Sequence, residues 1–190
     1  MNTVILGSGS GTNCKAILES EKSGQLGSAK VVGIISDHED AIILKHARTM
    51  GKQHEFISCS PFKTKLDGIA EDIWIDKIKS YQPDLIVLAG FMRVLKPKFI
   101  EAFRGKIINL HPSLLPSFSG LNGIQKAYKY GVKITGCTVH WVEIEVDAGK
   151  IIAQSAVDTE GLSLNELESA IHRAEHKLLP KVIKNLSALL

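Results

Sequence analysis

The chain has 190 residues, of which 44% are hydrophobic and 23% charged, and its formal net charge is +3. This composition predicts one globular domain, and the scattered lysines and arginines form no basic stripe of the kind that binds nucleic acid. No apolar run reaches the length of a membrane span and no signal peptide precedes the first strand, so we expect a cytoplasmic protein.

The first predicted unit is a strand, a glycine-rich turn and a helix. Residues 3–6 are apolar, residues 7–13 are rich in glycine, and residues 14–21 have a helical pattern. Glycines let the backbone approach a phosphate, and the free N–H groups at the start of a helix attract an anion. A phosphate site is therefore predicted here. The alternative is a merely tight turn, because Thr12 stands where the dinucleotide-binding fingerprint has its third glycine.

The second and third strands are predicted over 31–35 and 55–57, with a helix over 41–50 between them. Asp37 follows the second strand, where a nicotinamide enzyme carries its ribose-binding acid. The more common explanation is a short polar residue that ends a strand, and we favour it. A loop over 58–65 follows the third strand.

A helix over 67–81 precedes the most apolar strand of the chain, residues 85–89, which is predicted to lie at the centre of the sheet. Trp74 is expected to pack with the apolar stripe of this helix rather than to bind a ligand. The stripe is predicted to consist of Ile69, Ile73, Ile75 and Ile78.

The elements that complete this half are a helix over 98–103 and a strand over 107–110. Strands that alternate with helices favour a parallel, doubly wound sheet with right-handed crossovers. After Pro116 the pattern changes, because predicted strands over 135–143 and 150–157 are separated by a link too short for a helical crossover.

The remaining predicted elements are a helix over 124–130 and a C-terminal helix over 165–177 that continues past Pro180 to Leu190. We therefore expect one α/β domain over residues 1–190, with a doubly wound, mostly parallel sheet, helices on both faces and a C-terminal antiparallel hairpin. The hairpin loop carries Asp147, and an acid in such a loop is usually solvated.

The strand over 107–110 ends in a group of polar residues. Asn109 and His111 are two positions apart, so in extended geometry their side chains point to the same side. An amide donor beside an imidazole is what an acyl-transfer site needs, because one group holds a carbonyl oxygen while the other moves protons. The alternative is a capping asparagine and a core histidine.

Four stretches together carry a family resemblance. They are SGSGTN at 8–13, LAGFMRVL at 88–95, NLHPSLLP at 109–116 and DAG at 147–149. They resemble the folate-dependent formyltransferases and, among these, the phosphoribosylglycinamide formyltransferases of purine biosynthesis. The resemblance covers nearly the whole chain and implies a formyltransferase-like fold with a Rossmann-like N-terminal half.

The resemblance implies transfer of a formyl group from 10-formyltetrahydrofolate, a cosubstrate, to the amine of glycinamide ribonucleotide, without a metal. It makes Asn109, His111 and Asp147 the catalytic set. Asn109 and a protonated His111 would hold the oxyanion, and His111 would also carry protons. Asp147 would favour the charged form of His111 and order a water.

The resemblance also divides the domain into two parts, a ribonucleotide phosphate-binding part over about residues 1–100 and a folate and catalytic part over about 101–190. It further implies two sets of binding residues, one for each substrate. The ribonucleotide set is Gly11, Thr12, Asn13 and Glu175. The folate set is Lys65, Met92, Arg93, Val94, Leu95 and Asn109.

Several positions depart from the family pattern or have a simpler interpretation. Lys65 stands where many members have an arginine, and a lysine lacks the bidentate fork. The loop over 117–123 lacks the histidines of some relatives. His140 is expected to be structural, and Glu175, without the resemblance, would lie on a solvated helix face.

Two other functions remain open. One is a hydrolase that releases formate from the same cosubstrate. The other is a non-catalytic nucleotide-binding module, suggested by Gly7, Gly9 and Asp37, which leaves the catalytic set unexplained. The expected partners are small molecules, with neither nucleic acid nor membrane, and the protein is expected to be a monomer or a homodimer. Cys14, Cys59 and Cys137 lack ligand spacing and are expected to be buried.

Overall fold

A computed structural model describes residues 1–189, which form one seven-stranded sheet covered by helices. The strands are β1 (Asn2–Leu6), β2 (Lys30–Ser36), β3 (His54–Phe56), β4 (Leu85–Leu88), β5 (Ile107–His111), β6 (Ile134–Trp141) and β7 (Ile151–Asp158). The helices are α1 (Thr12–Lys22), α2 (Ile42–Thr49), α3 (Gly68–Ser80), α4 (Pro97–Ala102), α5 (Gly123–Tyr130) and α6 (Leu164–Ser187). The predicted order of elements is confirmed. The last helix ends at Ser187, short of the predicted end at Leu190, a residue that itself lies outside the described part of the chain.

The strand order in the sheet is β3-β2-β1-β4-β5-β6-β7, so β4 is the central strand, as its apolar sequence predicted. The five strands from β3 to β5 are parallel, whereas β6 is antiparallel to β5 and β7 is antiparallel to β6. The chain order reverses between β1 and β4, and the carboxyl ends of strands at such a switch point form the ligand crevice of an open α/β sheet.

The two faces of the sheet are buried by different helices. Ile5 belongs to the core formed with α1, α2, α5 and α6, whereas its neighbours Val4 and Leu6 belong to the core formed with α3 and α4. This alternation follows from the two-residue period of a strand. The predicted α/β sheet with helices on both faces and a C-terminal antiparallel hairpin is confirmed. Among residues 1–189, no helix is both long and apolar enough to cross a membrane.

The predicted apolar stripe of α3 is wrong at two positions. Ile69 and Ile73 are 79% and 52% exposed, whereas Trp74 is buried and its ring centroid lies 5.2 Å from that of Phe91. The buried stripe, at the spacing of one helix face, is Ala70, Trp74, Ile75 and Ile78. Ile69 and Ile73 have the same spacing but occupy the adjacent face, so spacing alone did not choose between the two.

The link between β6 and β7 is longer than predicted, because β6 ends at Trp141 rather than at residue 143. At the end of this link, a Cβ on Gly149 would overlap the carbonyl oxygen of Trp141. Only glycine allows this approach, which holds the loop containing Asp147 against β6.

The C-terminal end of α3 offers a stability test. Gln82 follows the C-cap residue Tyr81 and has a left-handed φ of 49°, a conformation that glycine adopts without steric cost. We expect Gln82→Gly to raise the free energy of unfolding by about 0.5–1 kcal/mol in urea titrations. Gly131, which ends α5 with a φ of 81°, is the matched control, and Gly131→Gln should lower that free energy. An unchanged Gln82→Gly variant would contradict the expected strain.

Candidate active site

The glycine-rich turn after β1 ends at the start of α1, as predicted. Gly11 has a φ of 67°, and a Cβ added to it would lie 2.6 Å from the Cα of Ile43, so this position requires glycine. No side chain caps the first residue of α1, Thr12. The first N–H groups of the helix therefore have no partner within the helix, and free N–H groups at a helix start are suited to bind an anion.

Glu175 connects this turn to the C-terminal helix. Its carboxylate oxygen Oε2 accepts a hydrogen bond from Asn13 Nδ2 at 3.0 Å and lies 2.9 Å from His172 Nδ1. Glu175 is 3% exposed, so the solvated helix face expected without the resemblance is wrong. The turn over 11–13 and Glu175, which are far apart in the sequence, thus form one cluster.

His172 is a member of this cluster that sequence reasoning missed. The only signal for it was its position three residues before Glu175, which brings the two side chains together on one helix. The hydrogen bond that His172 donates to the Glu175 carboxylate raises the pKa of His172 above its ordinary value of 6.5. The protonated pair therefore stabilises the fold below about pH 6.5, and this contribution is lost as the pH rises through the raised pKa.

The structure brings Asn109, His111 and Asp147 together at the end of β5. His111 Nδ1 lies 3.3 Å from Asp147 Oδ2, and Gly120 N donates a hydrogen bond to the same oxygen at 2.8 Å. Asp147 has a φ of 57° and its side chain is almost completely buried, so it is not the solvated loop acid that its position alone suggested. The loop after β6 thus carries a carboxylate to the edge of β5.

Both ring nitrogens of His111 face acceptors. Nε2 lies 3.0 Å from the carbonyl oxygen of Phe118, and Nδ1 faces the carboxylate of Asp147. A carbonyl and a carboxylate are both acceptors, so the ring is held between two acceptors. The ring is therefore set to donate hydrogen bonds at this edge of the sheet.

His140 lies beneath Asn109 on the adjacent strand. Its Nδ1 is 2.8 Å from the carbonyl oxygen of Trp141, and its Nε2 is 3.2 Å from Asn109 Nδ2. Burial lowers the pKa of His140, so the neutral ring donates through Nδ1 and accepts from Asn109 through Nε2. His140 was expected to be structural, and its position in fact fixes which way the Asn109 amide points. The second N–H of that amide is left for a ligand.

The segment after β4 lies against the glycine-rich turn. Met92 N donates to Ser8 Oγ at 2.9 Å, and Val94 N donates to the carbonyl of Thr64 at 3.0 Å. The side chains of Met92 and Val94 are 62% and 45% exposed, whereas Leu95 is buried. Two apolar side chains thus remain uncovered beside the end of β5.

Lys65 lies next to this segment, since its backbone forms a bridge with Val94. Its ammonium group is 2.5 Å from Asp67 Oδ2 and 4.9 Å from the ring centroid of Phe62. The charge is therefore half-exposed and already paired, so that an anionic ligand would have to compete with Asp67.

The guanidinium of Arg93 is used within the protein. Its Nε donates to Asp37 Oδ2 at 2.5 Å, and its NH1 donates to the carbonyl oxygens of Phe62 and Lys63. Asp37, at the end of β2, is buried. The ion pair accounts for the positions of both side chains. Because the Asp37 carboxylate is bound to Arg93, it is not free to bind a ribose, as the dinucleotide-binding interpretation required.

The cysteines are buried, as expected. Burial raises the pKa of Cys14 and Cys137 to about 12 and that of Cys59 to about 11. None of the three is a thiolate near neutral pH, so they supply no nucleophile. In the described part of the chain, no three His, Cys, Asp or Glu side chains are grouped in a way that would hold a metal ion.

An open α/β sheet that carries an amide, an imidazole and a carboxylate at one strand end has the architecture of an acyl-transfer enzyme. Residues 1–183 match the model of the formyl transferase family, and the chain belongs to that family. It is therefore a folate-dependent formyltransferase, and its relatives over nearly the whole length are the phosphoribosylglycinamide formyltransferases.

Two bacterial proteins are examples of relatives with that name. The Bacillus subtilis protein is 34% identical over 97% of this chain and 94% of its own length. The Haemophilus influenzae protein is 39% identical over 95% of this chain and 84% of its own length. The crystal structure of glycinamide ribonucleotide transformylase 1 from Symbiobacterium toebii superimposes with a TM-score of 0.92 at 37% identity, over 99% of this chain and 88% of that one.

Proposed function

We propose that this enzyme transfers the formyl group of 10-formyltetrahydrofolate to the amine of 5′-phosphoribosylglycinamide, in purine biosynthesis. The observation that carries the proposal is the cluster of Asn109, His111 and Asp147 at the end of β5. This cluster lies at the same sheet edge as the turn after β1 and the apolar segment after β4. The relatives named for this reaction support the same substrates.

In the proposed reaction, the substrate amine attacks the formyl carbon and the carbonyl oxygen becomes an oxyanion. The free N–H of Asn109 and the Nε2–H of the His111 imidazolium, which exchanges the carbonyl oxygen of Phe118 for the oxyanion, stabilise that charge. The amine must lose a proton and N10 of the folate must gain one as the C–N10 bond breaks. His111 carries these protons together with a water held by Asp147. The products are formylglycinamide ribonucleotide and tetrahydrofolate, so atoms balance without a covalent enzyme intermediate.

The ribonucleotide is proposed to bind at the turn after β1. The N–H groups of Gly11, Thr12 and Asn13 would hold the phosphate, with the favourable helix dipole behind them. Glu175, which is held by Asn13, would face the ribose and glycinamide end of the substrate. These residues come from both of the predicted parts, about 1–100 and about 101–190.

The folate is proposed to lie on the segment after β4. The exposed side chains of Met92 and Val94 give its pteridine an apolar surface, and the backbone of Arg93 and Leu95 offers hydrogen bonds. The guanidinium of Arg93 is excluded from this role by Asp37. Lys65 would bind a folate carboxylate as a point charge, and its ammonium group would then give up its contact with Asp67.

The test measures the ultraviolet absorbance of a 10-formyl folate analogue mixed with the enzyme, with and without glycinamide ribonucleotide. We expect a change that requires the ribonucleotide. A change without it means hydrolysis, and no change means another formyl acceptor. The proposed compartment is the cytoplasm, where this chemistry would draw on folate and ribonucleotide pools.

Thermal-shift measurements separate the enzyme from a nucleotide-binding module. A ligand that binds only the folded protein raises its melting temperature, so a folate analogue should stabilise the protein and NAD should not. Stabilisation by NAD alone would contradict the proposed function.

Glu175→Gln tests the ribonucleotide end of the site. A hydrogen bond to a charged group contributes about 1.5–3 kcal/mol, so KM for the ribonucleotide should rise about tenfold or more while kcat changes less. The pKa of His172, followed by NMR, should fall towards its ordinary value of 6.5 because the carboxylate charge is lost. Glu168→Gln, on the same helix, is the control for KM only, since Glu168 contacts Gln125 rather than Asn13 but its charge also raises the pKa of His172. Unchanged KM with a lowered His172 pKa would make Glu175 purely structural.

A further inference from the structure

A turn over residues 112–116 follows His111, and a hydroxyl of the neighbouring strand holds it at both ends. The hydroxyl belongs to Thr138, which is fully buried on β6 and pairs with His111 across the two strands. Thr138 Oγ1 donates a hydrogen bond to the carbonyl oxygen of Ser113 at 2.7 Å and accepts one from Leu115 N at 3.0 Å. The start and the end of the turn are therefore fixed to one atom of β6.

The side-chain amide of Gln154, on β7, completes this group of hydrogen bonds. Its Nε2 donates to Thr138 Oγ1 and to the carbonyl oxygen of Leu115, both at 3.0 Å. A hydroxyl has one hydrogen to donate and two lone pairs that accept. Because Gln154 and Leu115 N both donate to Thr138, the hydroxyl hydrogen of Thr138 is committed to Ser113. Gln154 thus helps to set the direction of this hydroxyl and holds the turn directly as well.

The turn joins the two elements that fix the ring of His111. It begins at the residue after His111, which ends β5, and it continues into the loop whose Phe118 carbonyl oxygen lies 3.0 Å from His111 Nε2. Within this stretch, Ser113 Oγ donates to the carbonyl oxygen of Ser117, the residue before Phe118, at 2.6 Å. A shift of the turn would therefore change the position of the ring or of the loop that lies against it.

His111, Thr138 and Gln154 lie in one row across the sheet. His111 pairs with Thr138 between β5 and β6, and Thr138 pairs with Gln154 between β6 and β7. Directly opposite residues point to the same face of a sheet, so the row extends from the proposed active site to the outermost strand. The bulge of β6 lies beyond Thr138, between Val139 and His140, and does not shift this register. Strand β7 thereby supports the site although it carries none of the residues of the proposed sets.

We propose that Gln154 is a positioning residue for formyl transfer and acts on His111 through Thr138 and the turn over 112–116. This inference rests on the proposed function, in which His111 stabilises the oxyanion and carries protons. A small displacement of a group that acts in the transition state lowers the rate more than it lowers the affinity for substrates. Loss of the Gln154 amide should therefore lower kcat and leave the KM for each substrate nearly unchanged.

Two variants remove the amide donor in different ways. Gln154→Leu removes both hydrogen bonds and should lower kcat about tenfold at every pH, relative to the wild type. Gln154→Glu keeps the shape of the side chain but turns a carboxylate, which only accepts, towards Thr138 Oγ1 and the carbonyl oxygen of Leu115. Its kcat, divided by that of the wild type at the same pH, should be low at neutral pH. This ratio should rise as the pH falls, because the protonated carboxyl group donates a hydrogen bond again.

Gln53→Leu and Gln53→Glu are the matched controls. Gln53 is exposed and precedes β3, the strand at the opposite edge of the sheet. Both controls should keep normal kcat, and thermal melts on the same samples show that each variant is folded. Normal kcat in both Gln154 variants would overturn this inference alone, and so would a ratio for Gln154→Glu that does not change with pH. A wild-type enzyme without ribonucleotide-dependent turnover would contradict the proposed function and, with it, this inference.

Amide hydrogen exchange gives a measurement that does not depend on turnover. The N–H of Leu115, which donates to Thr138 Oγ1, should exchange faster in Gln154→Leu than in the wild type, because the turn has lost an attachment. The N–H of Val142, which donates to the carbonyl oxygen of Ile107 on β5, should exchange at the same rate in both proteins. Unchanged exchange of Leu115 would overturn the inference, because the turn would then be held without Gln154.

Discussion

Replacement of His111 by alanine is expected to lower formyl transfer by about a thousandfold or more while the protein stays folded. The imidazolium both stabilises the oxyanion and moves protons, and each of these effects typically contributes a factor of about a hundred or more. The fold should survive, because Asp147 keeps its hydrogen bond from Gly120 N and the neighbouring strands are unaffected. The measurement is the ribonucleotide-dependent absorbance change, with a thermal melt on the same sample.

His46→Ala is the control for this variant. His46 lies in the last turn of α2, outside the proposed catalytic and binding sets. The His46→Ala variant should keep normal turnover. That result would show that the loss of activity in His111→Ala comes from His111 itself and not from the removal of a histidine in general. Near-normal turnover of a pure, folded His111→Ala sample would refute the proposed role.

Asp147→Asn is expected to reduce kcat about a hundredfold with little change in either KM. The substitution removes the negative charge of Asp147, which lies 3.3 Å from His111 Nδ1 and favours the imidazolium form of His111. It keeps a side-chain oxygen that accepts the hydrogen bond from Gly120 N. The loop should also keep its shape, because asparagine tolerates the left-handed φ of 57° at this position. The kinetic loss should therefore be nearly free of structural effects.

Glu145→Gln, in the same loop and exposed, is the matched control for the loss of a carboxylate. It should leave kcat unchanged. If Asp147→Asn unfolded the protein instead, the buried carboxylate would be a structural residue of the loop. If it raised KM alone, Asp147 would bind substrate without acting on the rate.

The central strand and the strand directions of the sheet could be predicted because they follow from residues that are close together in the sequence. The apolar sequence of 85–89 predicted the central strand, and alternating elements predicted the parallel order. The short link after β6 likewise predicted the hairpin, since few residues cannot cross a sheet. What failed was the choice between two equally spaced faces of α3, because only the packing against Phe91 and its neighbours decides which is buried.

The candidate site was predicted in its residue types but not in their partners. Asn109 and His111 share one strand, and the family resemblance added Asp147 and Glu175. The contact of His140 with Asn109 depends on the register between β5 and β6, and the Arg93–Asp37 pair joins the ends of β4 and β2. Such long-range contacts leave no periodic trace in a single sequence. The assignment of roles to these residues stays a prediction until the variants are measured.

The hydrogen bond between Asn13 and Glu175 has a consequence for how the protein is made. It spans 162 positions of the chain, and Glu175 lies on the last helix. A ribosome that has released only the first strands and helices has therefore exposed the turn after β1 without the carboxylate that orients Asn13. A nascent chain that still lacks α6 would lack part of the proposed ribonucleotide site, so we expect no activity before α6 has been synthesised.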